Sequence, residues 1–165
     1  LETMFLLGDF SVRVEGERPV MHAARHPDLG DWTRQGFPFY SGGMTYRRTV
    51  KVNPQDNDRV FVEVPAFRGS CGRVLVDGEE AGRLSWEPHE VDVTDLVQGR
   101  ESIELAVEII SHRRNAFGPL HSTQTWPNWT GPGSFVTSGD QWQEEYNLVP
   151  CGCLEVPIIS YRRPE

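Results

Sequence analysis

Cysteine is scarce in this chain: Cys71, Cys151 and Cys153 are the only three among 165 residues. Alternate positions of an extended strand lie about 6.5–7 Å apart along the chain, a poor geometry for bridging the Cys-x-Cys pair. No further cysteine or histidine stands nearby at metal-ligand spacing. The three therefore read as buried or half-buried free thiols, and no metal centre is expected. Basic clusters are also missing. Sixteen Lys and Arg face 24 Asp and Glu, for a net charge of −8. The pairs Arg47-Arg48, Arg113-Arg114 and Arg162-Arg163 are scattered, so nothing gathers to neutralise phosphates, and nucleic acid is excluded as a partner. No run approaches the roughly 20 apolar residues of a membrane span, which excludes a membrane partner of that kind. Helical periodicity is equally thin, with one turn at most near Thr94 to Val97. The chain opens on Leu1 and lacks the basic region and cleavage site of a signal peptide. It therefore reads as one domain, residues 1–165, cut from a larger multidomain protein.

Two-residue periodicity is what the chain does have. Ile103, Leu105, Val107 and Ile109 share one face of a strand whose other face carries Glu104 and Glu108. Such alternation means one wall buried and one wet. Val60, Val62 and Val64 repeat the pattern, as do Tyr46, Arg48, Val50 and Val52, and Phe10, Val12 and Val14. After Glu15-Gly16-Glu17 the sequence reads as a connecting region, and Leu154, Val156 and Ile158 are expected to close the sheet. Turn chemistry separates the runs: Asn53 to Asp58 stops one strand, and Asp77-Gly78 suits the positive φ angles of a tight hairpin. Strands at intervals of ten to fifteen residues predict an all-β antiparallel sandwich of the jelly-roll kind. Trp86, just beyond the hairpin, is expected to plug that sandwich.

The hairpin region also carries a family resemblance. Val74, Val76, Asp77, Gly78 and Gly82, then Trp86 and Pro88, then Asp92, Val93, Thr94, Leu96 and Gly99 follow a familiar order. It resembles that of the sugar-binding, galactose-binding-like domain of family 2 and rhamnosidase-like large glycoside hydrolases. The sequence departs from that pattern twice: Asp77 stands where the turn commonly has Asn, and Arg100, Glu101 and Ser102 replace a usual Asn. Residues 35–42 and 115–121 extend the likeness to a C-terminal module of such enzymes, so it covers roughly residues 30 to 160. The resemblance implies a jelly-roll fold, a catalytic domain of the parent chain as partner, and a Gly-Pro-x-His stretch lying near that domain. Function still has to be argued from a site.

The place to look is the loop from Asn115 to Trp142. It gathers Asn115, His121, Trp126, Trp129 and Trp142 among glycines and prolines. Flat rings suit the C–H faces of sugars, and planar polar groups grip their hydroxyls. These five are the carbohydrate-binding candidates. The same tryptophans would equally serve to cover a sheet end or dock a neighbouring domain. Trp32, Phe37, Phe39 and Tyr40 read as a rigid corner packed in the core. No catalytic residue is expected. Glu144 and Glu145 follow Trp142, and adjacent strand positions point to opposite faces, so they cannot form the carboxyl pair of a glycosidase together. Gly-x-Ser-x-Gly and phosphate-binding loops are absent, no cofactor is implied, and Asp56-Asn57-Asp58 reads as a plain turn. The expected role is a non-catalytic accessory module that supports the catalytic domain and contacts carbohydrate, or else a self-sufficient carbohydrate-binding module.

Overall fold

A computed structural model of the chain describes residues 4, 6–16, 18–124 and 129–163. The chain divides into two compact units. One comprises Leu1–Asp28, Trp32–Tyr40 and Arg114–Val149; the other comprises Leu29–Asp31, Ser41–Arg113 and Pro150–Glu165.

The first unit opens with β1 (Phe10–Glu15) and β2 (Arg18–Ala23), an antiparallel hairpin turning at Gly16. β2 falls where the sequence suggested a connection. Its residues, Arg-Pro-Val-Met-His-Ala, lack the alternation that marks a strand; pairing with β1 supplies the order instead. Cross-strand register puts Val12 opposite Met21 and Val14 opposite Pro19. That apolar side is the wet one: Val14 is 37% and Met21 59% exposed. The buried position on β1 is Ser11, whose hydroxyl donates to the Ala23 carbonyl at 2.9 Å. A small residue is needed there because Gly36 passes so close that a Cβ on it would sit 3.0 Å from Ser11 Cβ.

The second unit is an antiparallel β-sandwich, so the all-β expectation holds. It contains β3 (Gly43–Lys51), β4 (Arg59–Glu63), β5 (Phe67–Arg68), β6 (Cys71–Val76), β7 (Glu79–Leu84), β8 (Glu90–Asp92), β9 (Ser102–Ile110), β10 (Gly152–Cys153) and β11 (Ile158–Arg162). One sheet runs β3-β9-β6-β7 and the other β11-β4-β8, while β5 and β10 pair by themselves. Ile103, Leu105, Val107 and Ile109 of β9 are buried, as are Val60, Val62 and Val64 of the facing sheet. Burying each such side chain is worth about 1.5–3 kcal/mol. β7 approaches β8 closely: a Cβ on Gly82 would lie 2.7 Å from Val91. The hairpin between β6 and β7 turns at Asp77 (φ 49°) and Gly78 (φ 86°), and the ladder slips by one residue at Ala81, a bulge that twists the edge strand. One helical turn, Thr94–Val97, follows β8. Closure of the sheet begins later than the sequence suggested: β11 starts at Ile158, and both Val156 and Ile158 are exposed. Alternation alone does not say which side of an edge strand meets the core.

The three cysteines are free, with Cys151 and Cys153 buried and Cys71 half-buried. The Asp56–Asp58 turn uses its last carboxylate internally, since Asp58 accepts the Gln55 N–H at 2.9 Å and pairs with Arg163 at 2.9 Å.

Candidate functional site

The loop that carries the candidate residues belongs to the first unit. It starts in a helical turn, Arg114–Phe117, and is closed by Asn115. The Asn115 side-chain NH₂ donates to the Val149 carbonyl at 2.8 Å, and its Oδ1 accepts the Val149 N–H at 2.9 Å. With the residue 1% exposed, this amide clamps the two ends of the loop together and faces no solvent. It is a positioning element within the site, not a contact surface.

Between those ends, residues 120–124 and 141–147 run alongside one another. Gln143 N–H donates to His121 O at 2.7 Å, Thr123 N–H to Gln141 O at 3.1 Å, and Asn147 N–H to Leu120 O at 2.7 Å. Asn147 adds its side-chain amide, which donates to Ser122 O at 2.9 Å and Gln124 O at 2.6 Å. The frame sets four rings in series. His121 stacks on Trp142 with centroids 6.0 Å apart and planes at 28°; it meets Tyr146 at 4.7 Å, and Tyr146 meets Phe39 at 5.1 Å. The structure thus joins His121 and Trp142, and adds Tyr146 and Phe39, which sequence reasoning had left out or assigned to the core. Tyr146 could have been found by continuing the aromatic count four residues past Trp142. Phe39 is distant in sequence and carries no such signal.

His121 has a defined chemistry. Its Nδ1 lies 2.9 Å from Glu144 O and 3.1 Å from Gln143 O. Both neighbours are acceptors, so Nδ1 carries a proton and donates to them. Trp129 is 76% exposed, and its indole lies over Gly131: a Cβ there would come 2.0 Å from the ring. The backbone beneath is bare so that the ring can lie flat. Trp129 makes no ring contact with Trp142 among the described residues. Trp126 lies outside the described residues.

Other parts of the molecule correct or complete the reading. Trp32 is fully buried and packs edge-on against Tyr40 at 6.0 Å, as core packing requires. Trp86 does not plug the sandwich; it is 84% exposed. The sandwich surface also bears two shallow polar hollows. The larger, about 550 Å³, is lined by Arg59, Glu79, Glu80, Asp92, Thr94 and Asp95 among others. Its central acid is occupied: Asp92 accepts from the Thr94 N–H at 3.0 Å, receives the Thr94 hydroxyl, and pairs with Arg59. The smaller, about 470 Å³, is lined by Glu63, Val64, Pro65, Glu87, Pro88 and His89. Among the described residues, no group of three His, Cys, Asp or Glu is arranged to hold a metal ion.

No family model matches the chain, and neither does any curated protein. Solved structures do. A rhamnosidase from Novosphingobium sp. PP1Y aligns over 98% of this chain at 17% identity, with a TM-score of 0.58, and the alignment takes in 16% of that chain. A Faecalibacterium prausnitzii beta-glucuronidase aligns over 96% at 17% identity and TM-score 0.52, taking in 31% of its chain. A glycosyl hydrolase family 2 member from Bacteroides cellulosilyticus DSM 14838 aligns over 96% at 10% identity and TM-score 0.51, taking in 19%. The protein is thus similar in fold to a region within each of these much longer chains. At such identities the likeness concerns the fold.

Proposed function

We propose that the chain is a non-catalytic accessory module of a large glycoside hydrolase. In this reading it is a galactose-binding-like jelly roll, placed C-terminally in its parent, that braces the catalytic domain and contacts carbohydrate. The outward apolar face of the β1–β2 hairpin carries the proposal. Phe10, Val12, Val14, Pro19, Met21 and Ala23 share that face by register, and leaving Val14 and Met21 in water wastes burial worth about 25 cal/mol per Å². A neighbouring domain of the same polypeptide would recover it. The short share of each similar chain that the module spans supports the same reading.

Two measurements test it. Purified, the chain should hydrolyse no aryl glycoside, and measurable turnover would overturn the accessory role. In the full-length polypeptide, Val14→Asp with Met21→Asp should loosen the module, seen as faster hydrogen exchange across the hairpin. Unchanged exchange would remove that face as the docking surface.

A second reading, a self-sufficient carbohydrate-binding module, is favoured by Trp129 alone, since an exposed indole laid over a bare glycine is a ready platform for a sugar's C–H face. Gly131→Ala should tilt that ring and abolish any glycan binding seen by calorimetry. Binding that survives the substitution would locate the platform elsewhere.

A further inference from the structure

Sheets that do not close on themselves leave edges, and the edges of this chain are guarded unequally. The ladder of β7 is bulged at Ala81, β2 carries Pro19, and β8 is three residues long with an acid at each end. On β1, the Val12 N–H donates to the Gly36 carbonyl at 2.8 Å. On β3, Arg47 and Lys51 occupy one side, while Arg48, in register with buried Leu105, stands on the core side. β11 has none of these devices. Its register with β4 is unbroken from Ile158 to Arg162, it contains no proline, and its one charged residue, Arg162, is engaged by Glu90. Ile158 and Tyr161 are exposed on it.

The backbone groups that β11 leaves free follow from the pairing of β4. Val64 N–H donates to the His89 carbonyl at 2.9 Å, and Val93 N–H to the Val60 carbonyl at 2.8 Å, so Val60, Val62 and Val64 turn their backbone toward β8. In an antiparallel ladder the alternate residues turn the other way. Arg59, Phe61 and Glu63 therefore bond Arg162, Ser160 and Ile158, and the N–H and C=O of Ile159 and Tyr161 point away from the sheet. These two residues stand symmetrically about Ser160. The Ser160 hydroxyl is shielded from water and has no hydrogen-bond partner among the described residues.

We propose that β11 pairs with β11 of a second copy of the chain, antiparallel, about a two-fold axis through Ser160. Ile159 of each copy then exchanges both backbone hydrogen bonds with Tyr161 of the other, the reciprocal contact that a closed two-fold dimer requires. Ser160 meets its own counterpart at the axis, in the closer type of pair, with Cα atoms about 4.5 Å apart. A small side chain fits there, and each orphan hydroxyl gains a partner. On the same face Ile158 lies opposite the partner's Arg162, so like charges do not oppose each other, and the arginine methylenes cover the isoleucine. A strand of unrelated sequence would satisfy the backbone but not the Ser160 hydroxyl or the Ile158–Arg162 match. The seam is short, in the class of interfaces below about 1,200 Å², so association is weak and concentration-dependent. It lies in the sandwich unit and does not rest on the hairpin face.

Sedimentation equilibrium of the chain across micromolar to millimolar concentrations should show monomers passing to dimers and no further. Hydrogen exchange at the Ile159 and Tyr161 amides should slow as concentration rises, while the Ser160 amide, already bonded to β4, stays constant. Ile159→Pro removes an outward N–H that the β4 ladder does not use, and should abolish the dimer. Ile158→Lys, at an exposed position, sets like charges against each other twice across the seam and should weaken the dimer about tenfold. Ile158→Glu should keep or strengthen it. A chain monomeric throughout, a dimer indifferent to Ile159→Pro or equally tolerant of Ile158→Lys and Ile158→Glu, or one dissolved only by Val14→Asp with Met21→Asp would overturn the proposal.

Discussion

Asp77 and Arg100 belong to the two departures from the pattern the sequence resembles, the second of which also includes Glu101 and Ser102, and in the folded chain these two side chains meet. Their side chains form an ion pair beside the hairpin turn. Asp77 does more than pair: its Oδ1 accepts the Glu104 N–H at 2.8 Å, while its own N–H donates to Glu104 O at 2.9 Å. The turn is thus fastened to the neighbouring strand β9 through an oxygen that Asn or Asp supplies equally. Asp77→Asn should therefore cost less than about 1 kcal/mol, the usual worth of an exposed pair. Asp77→Ala should cost more, about 0.5–1.5 kcal/mol for the lost hydrogen bond to the Glu104 N–H beyond the lost ion pair. Urea denaturation of both variants beside Arg100→Ala would check this ordering.

Among elements, β9 is the one whose alternation translated directly into burial. It lies between β3 and β6, hydrogen-bonded on both edges, so position along the strand and side of the sheet are locked together. Ile109→Ala should cost about 2–5 kcal/mol, read as a fall in melting temperature. The loop behaves differently. Asn115→Ala should leave β9 protected in hydrogen exchange while speeding proteolysis between residues 115 and 149, since only the clamp on Val149 is lost. Two of the strands that sequence reasoning missed or displaced, β2 and β11, are edge elements. Their order comes from a partner strand distant in the reading or from a neighbour across a turn, and their apolar residues face outward. Asn115 shows the same gap in the site: a planar polar residue in an aromatic loop looks the same in sequence whether its amide meets a ligand or its own backbone. Trp86 was misjudged because an aromatic in a turn looks the same in sequence whether it turns inward or, as here, outward.

For the whole molecule, the sandwich unit stores a sensitivity to alkali. Burial pushes the Tyr46 phenol up to about 12 and the Cys153 thiol up to about 11, from ordinary values of 10.0 and 9.0. Below pH 9 both groups are neutral in the folded and unfolded chains alike, and their contribution is fully present. Above that the unfolded chain releases protons first, so stability falls as pH rises through the window from about 9 to about 12. Each unit of separation corresponds to about 1.4 kcal/mol. Denaturation midpoints measured across that window should decline, and Tyr46→Phe with Cys153→Ala should flatten the decline. A midpoint that stays level in the parent chain would contradict the burial of both groups. Fold class was legible because alternation is a local signal repeated many times. The site was legible only as composition, because ring stacking joins Phe39 to Tyr146 across most of the chain.

The outermost strand β7 has its own significance for how the protein behaves in a crowd. It ends the four-stranded sheet with Glu79, Glu80 and Arg83 projecting along a bulged edge, and Arg73 and Arg83 both reach Glu80. A stray peptide seeking an unpaired ladder would have to shed water from these charges and follow an uneven rail. Such a border makes this edge of the sheet a poor template for fibril growth.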